Sequence, residues 1–174
     1  MEKVKKILAA IEFTDGKTIA LELYPDAAPI TVANFVELCK AHFYDGLCFH
    51  RVIDGFMIQG GGFVFDERKG LIQKSARSIK GEFTKNGVAN PIKHDKGVIS
   101  MARTPDPNSA SSQFFICVAD AHFLDGDYAA FGRCADAESV KTAVALGKAK
   151  TGKWQYFSDV PFDPIVIKTI TIKQ

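Results

Sequence analysis

The run from Phe49 to Gly61 contains the residues best suited to chemistry. Arg51 and Gln59 lie within nine residues of each other, and the bulky side chains of Phe56 and Met57 stand between them. A guanidinium and an amide are costly inside an apolar core unless both find partners. The same mixture suits a site that holds an apolar, amide-bearing ligand and directs one cation at it.

A second stretch repeats this mixture. Residues 100–103 join a short apolar segment to another arginine, and residues 113–116 join a glutamine to two phenylalanines. Taken alone, Arg51 is most simply a surface or ion-paired arginine, and Phe115 a core aromatic. The neighbouring amides of Gln59 and Gln113 argue against a plain core, because each would need a partner there.

These residues need a framework, and its pattern is mostly β. An Asp15-Gly16 turn joins alternating segments at residues 5–13 and 17–23, which predicts a hairpin. Further strands are predicted at residues 49–60, 97–102, 113–118, 129–134 and 165–172. Alternation along residues 49–60 places His50 on the face opposite Arg51, so we expect a structural, hydrogen-bonded histidine there.

Two helices interrupt the strands. Apolar residues recur at helical spacing over residues 32–39, which predicts a helix that begins near Pro29 or Thr31. A second helix is expected to begin after Asp136, a favoured N-cap residue, and to end at Gly147. Short strands with isolated helices are typical of a β-barrel or a sandwich, and the pattern alone does not choose between them.

The remaining stretches predict loops and a single unit. Residues 61–96 and 103–112 show little periodicity and are expected to be loops, which at such length are usually functional. Residues 41–46 and 121–126 are similar in sequence and are read as two similar turns. No boundary divides the chain, so residues 1–174 are expected to form one domain.

Composition excludes several classes of function. The net charge is only +2 and no basic face is evident, which argues against a nucleic-acid partner. No apolar run approaches a membrane span. The four cysteines form no CxxC pair and the histidines show no metal-ligand spacing, so neither a metal nor a cofactor is expected. Reduced, buried thiols favour a cytoplasmic protein.

Together, residues 49–62 and 97–118 resemble the cyclophilin family of peptidyl-prolyl cis–trans isomerases, and the similarity extends over nearly the whole chain. The resemblance implies a mainly β fold, an eight-stranded antiparallel β-barrel capped by two α-helices. The segments Met101-Ala102-Arg103-Thr104 and Asp159-Val160-Pro161 are similar to the bacterial cytoplasmic branch of the family.

The implied reaction is rotation about an X-Pro bond, whose barrier is about 18–20 kcal/mol because rotation breaks amide resonance. In the twisted state the proline nitrogen gains a lone pair. A donor aimed at that nitrogen stabilises only the twisted state, which is the condition for catalysis. Arg51 is a permanently protonated donor of this kind. No nucleophile, metal or cofactor is required.

The resemblance also implies the roles of individual residues. The catalytic residues would be Arg51, Phe56, Gln59 and Phe115. The substrate-binding residues would be Met57, Ala102, Arg103, Gln113, Phe123, Leu124 and Tyr128. Among them the proline ring would contact Phe56, Met57, Phe115 and Leu124, while the two glutamines would bind the peptide amides and help to position Arg51.

Three of these positions depart from the form best known in eukaryotes. Arg103 replaces an asparagine, Phe123 a tryptophan and Tyr128 a histidine. The bacterial branch carries such replacements and remains active, so isomerase activity is expected. Cyclosporin is expected to bind only weakly, because the indole N–H donor is absent at Phe123.

Two functions of different classes remain open. The first is an isomerase that acts on X-Pro bonds in peptides and unfolded proteins and assists folding. The alternative is a non-catalytic proline-peptide-binding module or chaperone. A binder could dispense with Arg51, so its presence beside the pocket favours the enzyme. A monomer is expected, since no exposed apolar surface is evident, and neither nucleic acid nor membrane is an expected partner.

Overall fold

The computed structural model describes residues 5–173, and most of its regular structure is β. The strands are β1 Ile7–Phe13, β2 Thr18–Leu23, β3 Arg51–Ile53, β4 Met57–Gly60, β5 Phe63–Asp66, β6 Gly70–Gln73, β7 Val98–Met101, β8 Phe114–Cys117, β9 Ala130–Cys134, β10 Thr151–Trp154, β11 Phe157–Pro161 and β12 Ile167–Lys173. The helices are α1 Pro29–Lys40 and α2 Ala137–Gly147.

Eight of the strands form one antiparallel sheet in the order β12-β1-β2-β9-β7-β8-β4-β3. The sheet curls until its two ends meet. Phe49 N donates to Ile165 O at 2.9 Å, and Ile167 N donates to Leu47 O at 2.8 Å. The expected mainly β, eight-stranded antiparallel fold with two helices is confirmed.

The interior of the curled sheet is aromatic. Phe35 of α1 packs its ring against those of Tyr44, Phe114 and Phe131, with centroid distances of 5.2–5.7 Å. All four residues are almost completely buried. The helical stripe predicted at residues 32–39 therefore closes one side of the core.

The two helices begin in different ways. In α2 the Asp136 carboxylate accepts a hydrogen bond from Ser139 N at 2.8 Å, as its sequence predicts. In α1 the residue before Pro29 is Ala28, which has no side chain for capping. The buried carboxylate of Glu82 supplies the cap instead, accepting from Thr31 N at 2.6 Å and Thr31 Oγ1 at 2.7 Å.

Two sequence predictions of local structure were wrong, and one hairpin was missed. Residues 49–60 form two strands and not one, because Gly55 adopts a φ of +74° and turns the chain between β3 and β4. The predicted loop at residues 61–96 contains the β5–β6 hairpin and a short 3-10 turn. The β10–β11 hairpin was not predicted. These strands have three to five residues, too few for alternation to be recognised.

The two similar segments at residues 41–46 and 121–126 are two similar turns. In each turn a histidine contacts the aspartate three residues later: His42 Nδ1 lies 3.2 Å from Asp45 Oδ2, and His122 Nδ1 lies 3.0 Å from Asp125 Oδ2. The second turn carries Leu124 and Phe123, both expected site residues.

All four cysteines are free and buried. Burial raises the pKa of Cys48 to about 11 and the pKa values of Cys117 and Cys134 to about 12. Between residues 5 and 173, no helix is both long and apolar enough to cross a bilayer.

Candidate active site

The β3–β4 hairpin brings the arginine and the amides together. Arg51 is the partner of Gln59 in the strand register. Arg51 Nη1 donates to Gln59 Oε1 at 3.2 Å, and Gln59 Nε2 donates to Gln113 Oε1 at 3.0 Å. The two glutamines thus orient each other, and the chain of bonds ends on the guanidinium.

Alternation along β4 and β8 separates the site from the core. Ile58 and Ile116 point into the interior of the curled sheet, whereas Met57 and Phe115 point to its other face. On that face an apolar cluster forms around Met57, Phe115 and Leu124, which are exposed by only 1%, 5% and 8%. The strands are therefore buried on both faces, which explains their continuous apolar sequence.

A small cavity of about 140 Å³ opens over this cluster. Nine of the expected site residues line it: Arg51, Phe56, Met57, Gln59, Ala102, Arg103, Phe115, Leu124 and Tyr128. Six of these residues are apolar or aromatic, and the other three are Arg51, Arg103 and Gln59. This arrangement can hold a compact apolar ring and present the Arg51 cation to it.

The other two expected residues lie outside that lining. Gln113 borders a neighbouring cavity of about 200 Å³, which also contacts Gln73, Thr104, Ser109 and Ser111. A Cβ atom on Gly62 would lie 2.4 Å from Gln113 Cγ, so any larger residue at this position would displace the Gln113 side chain. Neither Gln73 nor Ser109 was predicted from the sequence as a site residue.

Phe123 lies on the rim. Its side chain is 72% exposed, and its ring packs against that of Phe56 in a tilted arrangement, with a centroid distance of 5.4 Å. Phe123 therefore does not line the cavity, but it covers the outer side of a residue that does.

Arg103 is held firmly where the two cavities meet. Its Nε and Nη2 donate to Asp127 O at 3.1 and 2.8 Å, and its Nη1 donates to Thr104 O at 2.9 Å. The guanidinium carbon also lies 4.9 Å from the ring centroid of Phe83 and 4.7 Å from that of Tyr128. Stacking of this kind favours arginine over lysine.

A buried histidine supports the apolar side of the cavity. The side chain of His94 is fully buried; its Nδ1 lies 3.0 Å from Asp125 Oδ1 and its Nε2 2.9 Å from Ser100 Oγ. Its ring stacks on Phe115 with a centroid distance of 5.9 Å. Burial lowers the pKa of His94, although its bond to Asp125 acts in the opposite direction. Sequence reasoning missed this residue, because its partner Asp125 lies 31 residues away along the chain.

His50 lies opposite Arg51, as alternation predicts, and is only 6% exposed. Its ring packs on Phe63, with a centroid distance of 4.5 Å. The expected hydrogen bond is absent at Nδ1, which is buried without a partner among residues 5–173. Burial, together with the nearby charge of Arg51, lowers the pKa of His50 to about 4.

One group of possible metal ligands lies beyond the cavity. Single ligand atoms of Asp95, Asp120 and His122 lie within 4.8 Å of one another, and all three residues are exposed. His122 already contacts two carboxylates, those of Asp95 at 3.3 Å and Asp125 at 3.0 Å. Spacing along the sequence did not predict this group.

Comparison with known proteins places the chain in a family. The profile of the family described as "Cyclophilin type peptidyl-prolyl cis-trans isomerase/CLD" matches residues 8–172. Peptidyl-prolyl cis-trans isomerase B of Escherichia coli is 38% identical over 167 residues, which covers 92% of this chain and 97% of the relative. The isomerase cyp18 of Streptomyces antibioticus is 40% identical over 91% of this chain and 95% of its own length.

Solved structures agree with the sequence comparison. A cyclophilin-type isomerase of Cryptosporidium parvum superposes with a TM-score of 0.76 at 30% identity, covering 98% of this chain and 99% of the other. The same Cryptosporidium protein, crystallised in the presence of the dipeptide Ala-Pro, gives a TM-score of 0.74 at 31% identity, covering 96% and 99% of the two chains. The chain belongs to the cyclophilin-type family of peptidyl-prolyl cis–trans isomerases.

Proposed function

We propose that this protein catalyses cis–trans rotation of X-Pro bonds in peptides and unfolded proteins, and thereby assists folding. The observation that carries the proposal is the Arg51 guanidinium beside the apolar cavity, held there by Gln59. The Ala-Pro dipeptide present with the Cryptosporidium relative supports proline-containing peptides as the substrate class.

The proposed mechanism uses binding and charge only. Phe56, Met57, Phe115 and Leu124 hold the proline ring while the preceding carbonyl turns. Arg51 donates to the proline nitrogen as the amide twists and its lone pair develops. Proton transfer and covalent intermediates have no part in the rotation.

The energetics require more than one contribution. Accelerating exchange from about 100 s to about 10 ms needs a factor of about 10⁴, or about 5.5 kcal/mol. One charge-assisted hydrogen bond supplies about 1.5–3 kcal/mol. The remainder is assigned to fixing the peptide in the cavity and excluding water, roles given to Gln59, Gln113, Ala102, Arg103 and Tyr128 as well as to the apolar wall. Phe123 is assigned a rim contact with the substrate.

The decisive experiment compares wild type with Arg51→Ala on a short X-Pro peptide. We expect the variant to lose about a hundredfold in kcat/KM, the upper range for one charge-assisted bond. Arg68→Ala, which removes an exposed arginine from the β5–β6 turn, is the matched control and should retain full activity. Circular dichroism checks that both variants fold. Near-wild-type activity in folded Arg51→Ala would contradict the mechanism.

The alternative of a non-catalytic binding module or chaperone gives a different result. In NMR spectra of a proline peptide, a binder shifts the cis and trans signals without accelerating their exchange. An enzyme accelerates the exchange at catalytic concentration. Bound peptide with unchanged exchange would assign the pocket to binding.

We further propose that residues 1–174 act as one monomeric domain in the cytoplasm. A family match that spans residues 8–172 supports the single domain. Four free, buried cysteines fit a reducing compartment. Weak binding of cyclosporin is also proposed, because Phe123 provides no N–H donor at the rim.

A further inference from the structure

The cavity carries two cations that no carboxylate of the described residues neutralises. Arg51 forms its side-chain hydrogen bond with an amide oxygen, and Arg103 donates to backbone carbonyls only. Neither arginine belongs to an ion pair within residues 5–173. The positive charges of both guanidiniums at the cavity are therefore not neutralised by an ion pair.

Asp127 and Asp106, which lie close to Arg103 through its backbone contacts, have other partners for their carboxylates. The Asp127 side chain pairs with Lys85 at 2.9 Å, although its backbone carbonyl binds Arg103. The Asp106 side chain accepts from Asn108 N at 2.9 Å. No aspartate or glutamate lines either of the two cavities. A bound ligand therefore experiences a positive electrostatic potential that no carboxylate in the cavity walls reduces.

The neighbouring cavity is placed to receive a second side chain of the same peptide. The two cavities share Gln59, Ala102 and Arg103 as their common wall. In an extended peptide, side chains two residues apart point to the same face and lie about 7 Å from each other. With a proline ring in the first cavity, the residue two positions away therefore reaches the second, next to Arg103.

We propose that the site prefers substrates with an aspartate or glutamate two residues from the proline. This inference rests on the proposed isomerase function and names its substrate class. The cation–π contacts with Phe83 and Tyr128 and the carbonyl bonds fix the Arg103 charge at the shared wall, so little ordering accompanies binding. An asparagine, as in the better-known form of the family, provides no such charge.

The test measures kcat/KM for two series of short peptides. One series carries Glu, Gln or Lys two residues before the proline, and the other carries them two residues after it. Because the site is partly open to solvent, we expect wild type to prefer Glu over Gln by about three- to fivefold at low salt. Lys should be the poorest of the three, and the preference should shrink at high salt.

Variants then assign the preference to one side chain. Arg103→Gln should bring the Glu-to-Gln ratio close to one, whereas Arg103→Lys should keep most of it. Arg133→Gln removes the same charge from the exposed side of β9, away from both cavities, and should leave the ratio unchanged. The rate on the Gln peptide reports, within each variant, whether the catalytic cavity is intact.

Each outcome decides a separate statement. Equal rates for Glu, Gln and Lys peptides in both series would overturn the inference and leave the isomerase intact. An unchanged Glu preference in active Arg103→Gln would also overturn it. If wild type accelerates none of the peptides, the proposed function itself fails.

Discussion

At the scale of single residues, the site depends on partners that do not compete with the substrate. Arg51 is held by the neutral oxygen of Gln59 and not by a carboxylate. A carboxylate in this position would neutralise the cation and weaken its attraction for a developing lone pair. The amide orients the guanidinium and leaves its charge available.

His94 contacts the apolar wall of the cavity, and this contact gives a residue-scale prediction. Besides its side-chain bonds, His94 N donates to Asp125 Oδ1 at 2.7 Å and its carbonyl accepts from Ala121 N at 2.8 Å. The imidazole thus joins Phe115 to the turn that carries Leu124. We expect His94→Ala to lower kcat/KM about tenfold, because Phe115 and the turn that carries Leu124 lose the imidazole that joins them.

The similar turn provides a matched control for that substitution. His42 makes the same contact with an aspartate three residues later, but it is exposed and lies away from the cavity. His42→Ala should leave kcat/KM unchanged. NMR signals of the Phe115 ring should shift in His94→Ala and not in His42→Ala. Unchanged kinetics in folded His94→Ala would show that the ring of Phe115 needs no such support.

Residue types predicted the side chains that line the cavity better than the buried residues that hold the surrounding structure in place. Arg51, Gln59 and the nearby aromatics were recognisable because polar and apolar side chains mix within one short run. His94 and Glu82 were not, because their partners lie 31 and 51 residues away along the chain. Such contacts form only in the folded protein, and no local sequence pattern predicts them.

At the scale of elements, the start of a helix could be predicted from the sequence only where its capping residue is local. The beginning of α2 was predictable because Asp136 binds a backbone N–H three residues later. The beginning of α1 depends on Glu82, in the segment predicted as a loop. The segment at residues 61–96 therefore stabilises α1 in addition to connecting strands.

This dependence predicts the effect of changing Glu82. We expect Glu82→Ala to lower the free energy of unfolding by about 3 kcal/mol, since two bonds to a buried carboxylate are lost and Thr31 N remains unpaired. Glu82→Gln should cost about 1 kcal/mol, because its amide oxygen still accepts. Urea unfolding at pH 7 measures both.

The control for α1 is a glutamate within the same helix. Glu37 is exposed and should change stability by less than about 0.5 kcal/mol when replaced by alanine. Equal effects of Glu37→Ala and Glu82→Ala would show that the distant cap adds nothing.

At the scale of the whole molecule, the two faces of one sheet contact two different apolar clusters. The larger fills the curled sheet, and the smaller one, around Met57 and Phe115, forms the floor of the site on the other face of β4 and β8. The eight-stranded fold could be predicted from the family resemblance, whereas the two extra hairpins could not. The β5–β6 and β10–β11 hairpins meet through Phe63 and Phe157, and His50 lies against both rings.

The position of His50 between the sheet and the hairpins predicts how the stability of the molecule depends on pH. Burial lowers its pKa in the folded protein to about 4, from 6.5 in the unfolded chain. Between these values the unfolded chain binds more protons, so stability is complete above about pH 6.5 and falls as the pH is lowered toward 4. At pH 4.5 the expected loss is about 2.5 kcal/mol. His94, whose pKa is also lowered, adds a loss of the same sign.

Urea unfolding at pH 7 and pH 4.5 measures this loss in wild type and in His50→Phe, which keeps a planar ring between Phe63 and Phe157 but does not titrate. The carboxylates whose pKa values are lowered, such as Asp66 and Asp136, lose their stabilising effect only below about pH 4, outside this window. His50→Phe should therefore lose about 2.5 kcal/mol less than wild type between the two pH values. An exposed-site control, His42→Gln, should behave as wild type. If His50→Phe loses as much stability as wild type, the His50 imidazole is not what makes the contact between sheet and hairpins sensitive to acid.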